Sequence, residues 1–134
     1  SVYRLSYHVV WVCKYRRRVL KPGICNYLIR VLSKLQRRLP GVIVEAIGFD
    51  LDHLHMVIKI PPRFSISSVV GMLKSQSVSL IRREFPVLKD VYWKENVFWS
   101  PGYFVSSVGV NEKIIRNYVE YQGLQDLGQL QMEL

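Results

Sequence analysis

The architecture of this chain turns on residues 42–62, VIVEAIGFDLDHLHMVIKIPP. Two apolar runs of strand length flank the turn-forming triplet Asp50–Leu51–Asp52, a pattern that predicts two strands joined by a tight turn. The second run alternates apolar and polar residues, as a strand with one covered face should, and Pro61–Pro62 closes it. His53 and His55 stand two apart at its start, so both imidazoles point to the same side of the sheet.

On the N-terminal side, residues 2–13 read as a long strand that runs into the basic loop KYRRR at 14–18. Pro22 and Gly23 then open a helix with a one-sided apolar stripe of Ile24, Tyr27, Leu28, Val31, Leu32, Leu35 and Leu39, stopped by Pro40–Gly41. On the C-terminal side, a second helix is expected from a cap at Ser65 or Ser67 to Pro86, with the stripe Ile66, Val69, Val70, Leu73, Leu80, Ile81 and Phe85. Residues 96–108 read as a strand broken at Pro101–Gly102, and a third helix is expected over about 111–123. The order βαββαβ predicts an α+β fold: a ferredoxin-like antiparallel sheet with two helices on one face, the histidine strand inside it, and an added C-terminal helix. A single domain over 1–134 is expected, with a core at 1–108 and a tail at 124–134.

Apolar residues make up 49% of the 134, enough for a packed core. The apolar runs fall well short of the roughly 18 residues of a membrane span, and the start of the chain lacks the layout of a signal peptide. A cytoplasmic protein with no membrane partner is expected, and Cys13 and Cys25 are expected to be buried free thiols. Lys plus Arg number 19 against 10 acids, a formal net charge of +9. The bases cluster at Lys14, Arg16, Arg17 and Arg18, at Arg37 and Arg38, and at Arg82 and Arg83. Such clusters are the footprint of a polyanion binder, the alternative being a solvated surface. Aromatic residues interleaved with them (Tyr3, Tyr7, Trp11, Tyr15, Tyr92, Trp93, Phe98, Trp99, Tyr103) lean towards unpaired bases over duplex, although most belong in a core.

Two strand histidines can share a metal ion, but by spacing alone such pairs are more often simply hydrogen-bonded, and a third ligand must come from elsewhere in the fold. His8 is read as a packed or hydrogen-bonded core residue and not a ligand. In NYVEYQ, Tyr118 and Gln122 lie four apart on one helical face, a hydroxyl nucleophile one turn from an amide oxygen. On spacing alone Tyr118 can also be a stripe residue beside Ile114 and Ile115.

The blocks YHVVWVCKYRRRVL, DHLHMVIKIPP, LKSQSVSLIRREFP, VFWSPGYFVSSVG and NYVEYQ together resemble the small single-tyrosine HUH transposases of the IS-two-hundred/IS-six-hundred-five insertion sequences, in that family's order, from about Tyr3 to Gln122. Relatives that act on repetitive extragenic palindromes share these blocks, and the short tail favours the insertion-sequence branch. The resemblance implies that His53, His55 and Gln122 hold a divalent cation, usually magnesium, with manganese able to substitute. It implies that Tyr118 attacks single-stranded DNA, forming a 5′-phosphotyrosine and freeing a 3′-OH that later rejoins ends. Tyr121 is the fallback nucleophile. The resemblance further implies hairpin ends on the DNA and a homodimer with composite active sites, the tyrosine helix of one subunit meeting the histidines of the other. Gly109, which can adopt backbone angles closed to other residues, is the candidate hinge before that helix. The competing expectations are a non-catalytic single-strand-binding module and a metal-dependent phosphodiesterase that uses water.

Overall fold

The computed structural model describes residues 5–93 and 96–107. Four strands form one antiparallel sheet in the order β2-β3-β1-β4: β1 Leu5–Val12, β2 Ile43–Phe49, β3 His53–Ile60 and β4 Phe104–Ser107. The helices are α1 Pro22–Leu35, α2 Ile66–Glu84 and the single turn α3 Leu88–Val91, which the sequence pattern did not announce. Strand order and connections are those of the expected ferredoxin-like sheet, with β3 inside it.

Alternation sorts the two faces. Val9 and Trp11 of β1 and Leu54, Met56, Ile58 and Ile60 of β3 pack with Leu28 and Leu32 of α1 and Val70 and Leu73 of α2 in one core. Their neighbours in sequence, His8 and Val10 on β1 and His53, His55 and Val57 on β3, turn to the other face. On β2 the register shifts between Val44 and Ala46, a bulge that keeps Val44 opposite Ile58 and Ile47 opposite Met56.

α1 begins with Pro22 at its first turn, where a missing N–H costs nothing. It ends at Leu35, short of the expected Leu39, because residues Gln36–Arg38 tighten into a 3-10 turn and the Gln36 side chain accepts a hydrogen bond from Val44 N at 2.6 Å. α2 is capped by Ser65, whose Oγ accepts from Ser68 N at 3.1 Å. Its stripe includes one polar residue. Ser77 is fully buried and accepts a 2.9 Å hydrogen bond from the Trp99 indole.

The expected strand at 96–108 is divided. Trp99 bridges Cys13, whereas Phe104 pairs with Val10, so two residues are inserted at Pro101–Gly102, and Gly102 adopts a φ of 82° that favours glycine. Both cysteines are buried thiols outside any disulfide, and Cys25 Sγ donates to Leu20 O at 3.4 Å. Among the described residues no helix is long and apolar enough to cross a membrane.

Candidate active site around His53 and His55

β3 opens at His53, directly after the turn at 50–52. Asp50 N donates to His53 O at 2.9 Å, Cys13 N to Asp52 O at 2.8 Å and Leu20 N to Leu51 O at 3.0 Å. These bonds join the turn to the chain that leaves β1, so the two histidines stand beside the basic loop. Their ring centroids are 5.9 Å apart.

Two carboxylates bracket His53. Asp52 Oδ1 lies 2.8 Å from Nδ1 and Asp50 Oδ2 lies 2.8 Å from Nε2. The other Asp52 oxygen, Oδ2, accepts from Arg16 Nε at 3.2 Å and lies 3.2 Å from Arg16 Nη2. A carboxylate on one ring nitrogen of a histidine fixes the ring orientation and tautomer, an arrangement that supports metal ligands. The hydrogen bond to His53 and the charge of Arg16 hold the Asp52 carboxyl below its usual range, against a smaller opposing effect of burial.

His55 is 4% exposed although it lies on the face turned away from both helices. Burial, with the charges of His53 and His8 behind it, pushes its pKa down to about 4, against the pull of Asp50. Its imidazole is therefore neutral at ordinary pH, the form that can donate to a metal ion.

His8 is half-buried and packs on the sheet face turned away from the helices. It sits between Tyr7 and Val9, whose side chains point to the helices, so alternation sends it to the histidine face. There its ring stands edge-on to His55 with centroids 6.2 Å apart. Among the described residues its buried Nε2 has no hydrogen-bond partner, and burial lowers its pKa. All three histidines of the chain thus gather on one face.

The basic residues are spread over the molecule. Arg16, Arg17 and Arg18 are exposed, and Lys14 is half-buried with its ammonium 5.2 Å from the Tyr15 ring centroid. This loop is strained: Tyr15 and Arg16 have φ of 59° and 51°, a left-handed conformation that costs a non-glycine residue roughly 1–2 kcal/mol. Arg37 and Arg38 follow α1 at the opposite end of the sheet, beside Val44. Arg82 is half-buried and donates to Val97 O at 3.0 Å, a structural contact, while Arg83 is exposed. Trp11, Tyr92, Phe98 and Trp99 are buried, and among the described residues Tyr15 and Trp93 are the most exposed of the aromatics named above.

Tyr118, Gln122, the fallback Tyr121, the hinge candidate Gly109, the expected helix at 111–123 and the tail at 124–134 all lie outside the described residues. Among the described residues no three His, Cys, Asp or Glu side chains are arranged to hold an ion. The sequence reading missed Asp50 and Asp52. Their signal was available, since two acids in DLDHLH stand three and one residues before the first histidine.

The family model described as "Transposase IS200 like" matches residues 1–122. The chain is 36% identical over 117 residues to the transposase for insertion sequence element IS200 of Salmonella typhimurium, covering 87% of this chain and 76% of that one. It is 32% identical over 122 residues to the ISDra2 transposase TnpA of Deinococcus radiodurans, covering 90% and 86%. A crystal structure described as a transposase from Deinococcus radiodurans superposes with a TM-score of 0.73 at 30% identity, covering 91% of this chain and 93% of that chain. The structure of a REP-associated tyrosine transposase bound to a REP hairpin shares the fold, with a TM-score of 0.61 at 18% identity, covering 96% and 71%.

Proposed function

As this chain belongs to the IS200-like transposase family and is a single-tyrosine transposase, we propose that it cuts and rejoins single-stranded DNA at the ends of an insertion sequence through a 5′-phosphotyrosine on Tyr118. One pairing of observations carries this reading. The family match extends over residues 1–122, a span that includes Tyr118 and Gln122, and His53 and His55 stand side by side on an inner strand next to a basic loop.

The Tyr118 hydroxyl oxygen attacks phosphorus as its proton leaves, and the bond to O3′ breaks. The 5′ phosphate stays on the tyrosine and the other strand end departs as a 3′-OH. A 3′-OH then attacks the phosphotyrosine and tyrosine leaves. Each joining forms one phosphodiester bond for one broken, so no external energy source is consumed. His53, His55 and Gln122 would hold the divalent cation, magnesium or manganese, which when bound neutralises and orients the scissile phosphate. The donor set fits: His55 is neutral, and His53 has one nitrogen on Asp52 and the other on a contact with Asp50 that an ion could replace.

Lys14, Arg17 and Arg18 flank Arg16 in the loop that meets Asp52 and are the candidates for phosphates of the strand being cut, while Arg37, Arg38 and Arg83 are the candidates for phosphates further away. The hairpin in the REP-associated neighbour supports a hairpin-ended substrate here. Chromosomal DNA as substrate supports a cytoplasmic site of action. A homodimer with composite sites, His53 and His55 from one chain and Tyr118 and Gln122 from its mate, is supported by β4. Among the described residues this edge strand pairs only with β1, and it exposes Phe104 at 71% and Val105 at 42%.

The test is a denaturing gel after incubation with labelled single-stranded hairpin DNA and magnesium. Label migrating with the protein, lost in Tyr118→Phe and kept in Tyr121→Phe, is the expected result. Cut DNA without an adduct would identify a hydrolase, and intact DNA a binding module.

A further inference from the structure

The loop at 14–18 carries four bases suited to phosphates, yet one of its arginines is engaged with the protein itself. Arg16 grips Asp52 with two nitrogens, Nε and Nη2, each 3.2 Å from Oδ2. Among the described residues neither Arg17 nor Arg18 makes an ion pair. We infer that Arg16 is a positioning residue for His53: by occupying one Asp52 oxygen it commits the other to His53 Nδ1, which leaves Nε2, whose 2.8 Å contact with Asp50 Oδ2 an ion could replace, as the nitrogen that can donate to a cation.

Three observations carry this. The two oxygens of Asp52 are divided without overlap, Oδ1 to His53 at 2.8 Å and Oδ2 to Arg16. Both ends of the Arg16–Asp52 pair are anchored on the same backbone: Arg16 N donates to Cys13 O at 2.8 Å, and Cys13 N donates to Asp52 O at 2.8 Å. An ordinary exposed ion pair must hold two independent side chains in register and gains little from it. Here the backbone has already set the separation. The third observation is the left-handed backbone at Tyr15 and Arg16, a conformation seldom adopted outside glycine, which bends the loop back over the turn at 50–52. With Arg16 removed, Asp52 can rotate and His53 can exchange tautomers, so the donor nitrogen is no longer selected.

This inference rests on the metal reading proposed above, and one experiment separates the two. Manganese is titrated into the DNA-free full-length protein and free ion is followed by electron paramagnetic resonance, for wild type, Asp52→Asn, Arg16→Gln and the double variant. Asp52→Asn is expected to bind about 10–100-fold more weakly, the usual cost of losing a carboxylate behind a ligating histidine. Arg16→Gln is expected to bind about fivefold more weakly, the equivalent of about 1 kcal/mol at the upper end for an exposed pair. The double variant should match Asp52→Asn, because Arg16 acts through that carboxylate. The salt dependence of hairpin binding should be the same in Arg16→Gln as in wild type, whereas loss of a phosphate contact would lower its slope by about 0.9 on duplex. Wild-type manganese affinity in Arg16→Gln, or losses that add in the double variant, would overturn the inference alone. Failure of the wild type to take up manganese would overturn the metal reading and this inference with it.

Discussion

Acid should unfold this protein earlier than its carboxylates alone would require, and His55 is the reason. Its imidazole is 4% exposed and its pKa is pushed from 6.5 to about 4, chiefly by burial. Above pH 6.5 the ring is neutral in both folded and unfolded chains, so it contributes no pH dependence. Below that, the unfolded chain takes up a proton that the folded one refuses, and stability falls until the pH reaches about 4. A difference of 2.5 units corresponds to a ceiling of about 3 kcal/mol, of which about 2 kcal/mol is lost by pH 5. Asp52, held low, loses its contribution only as the pH drops below the ordinary carboxylate value of 3.8, outside this window. His8 is shifted in the same direction as His55 and adds to the loss, so the comparison is made against a variant. The assay is urea unfolding at pH 7.5 and pH 5.0 in chelator, followed by the fluorescence of the buried Trp11 and Trp99. With a slope of about 2 kcal/mol per molar, the wild-type midpoint should fall by about 1 M more than that of His55→Gln over the same interval. Equal falls in the two proteins would refute the burial argument, and a rise in wild-type stability on acidification would reverse its sign.

His53→Ala should lose cleavage at any practical magnesium concentration while hairpin affinity falls far less, read by gel and by filter binding, because the basic surface supplies most of the binding. Tyr118→Phe mixed with His53→Ala, each inactive alone, should regain a fraction of wild-type cleavage if sites are shared between subunits; subunit exchange without recovery would place the first cut within one chain. Ser65→Ala should cost about 1 kcal/mol in chemical denaturation, since it removes the acceptor for Ser68 N at the start of α2. Phe104→Glu should shift the protein towards monomer in light scattering if β4 forms the subunit contact.

Much of this fold is legible along the chain because period encodes face. The 3.6-residue stripes mark α1 and α2, and Ser65 marks the start of α2 by its capping chemistry. Alternation in 53–60 puts His53 and His55 on one side before any partner strand is known. What alternation cannot say is who stands next to whom. His8 joins the histidines only because β1 pairs antiparallel with β3, bringing Val10 opposite His55 and His8 opposite Val57. Arg16 and Arg82 look like interchangeable surface charges in the sequence, yet one meets Asp52 from 36 residues away and the other is spent on Val97 O. Ser77 reads as a gap in a stripe until Trp99 arrives from 22 residues away to bond it. The sequence by itself determined which residues share a face, since that follows from the geometry of one helix or one strand. Only the tertiary structure decided which charges, imidazoles and hydroxyls meet, because those pairings depend on strand register and loop path between segments far apart in the chain.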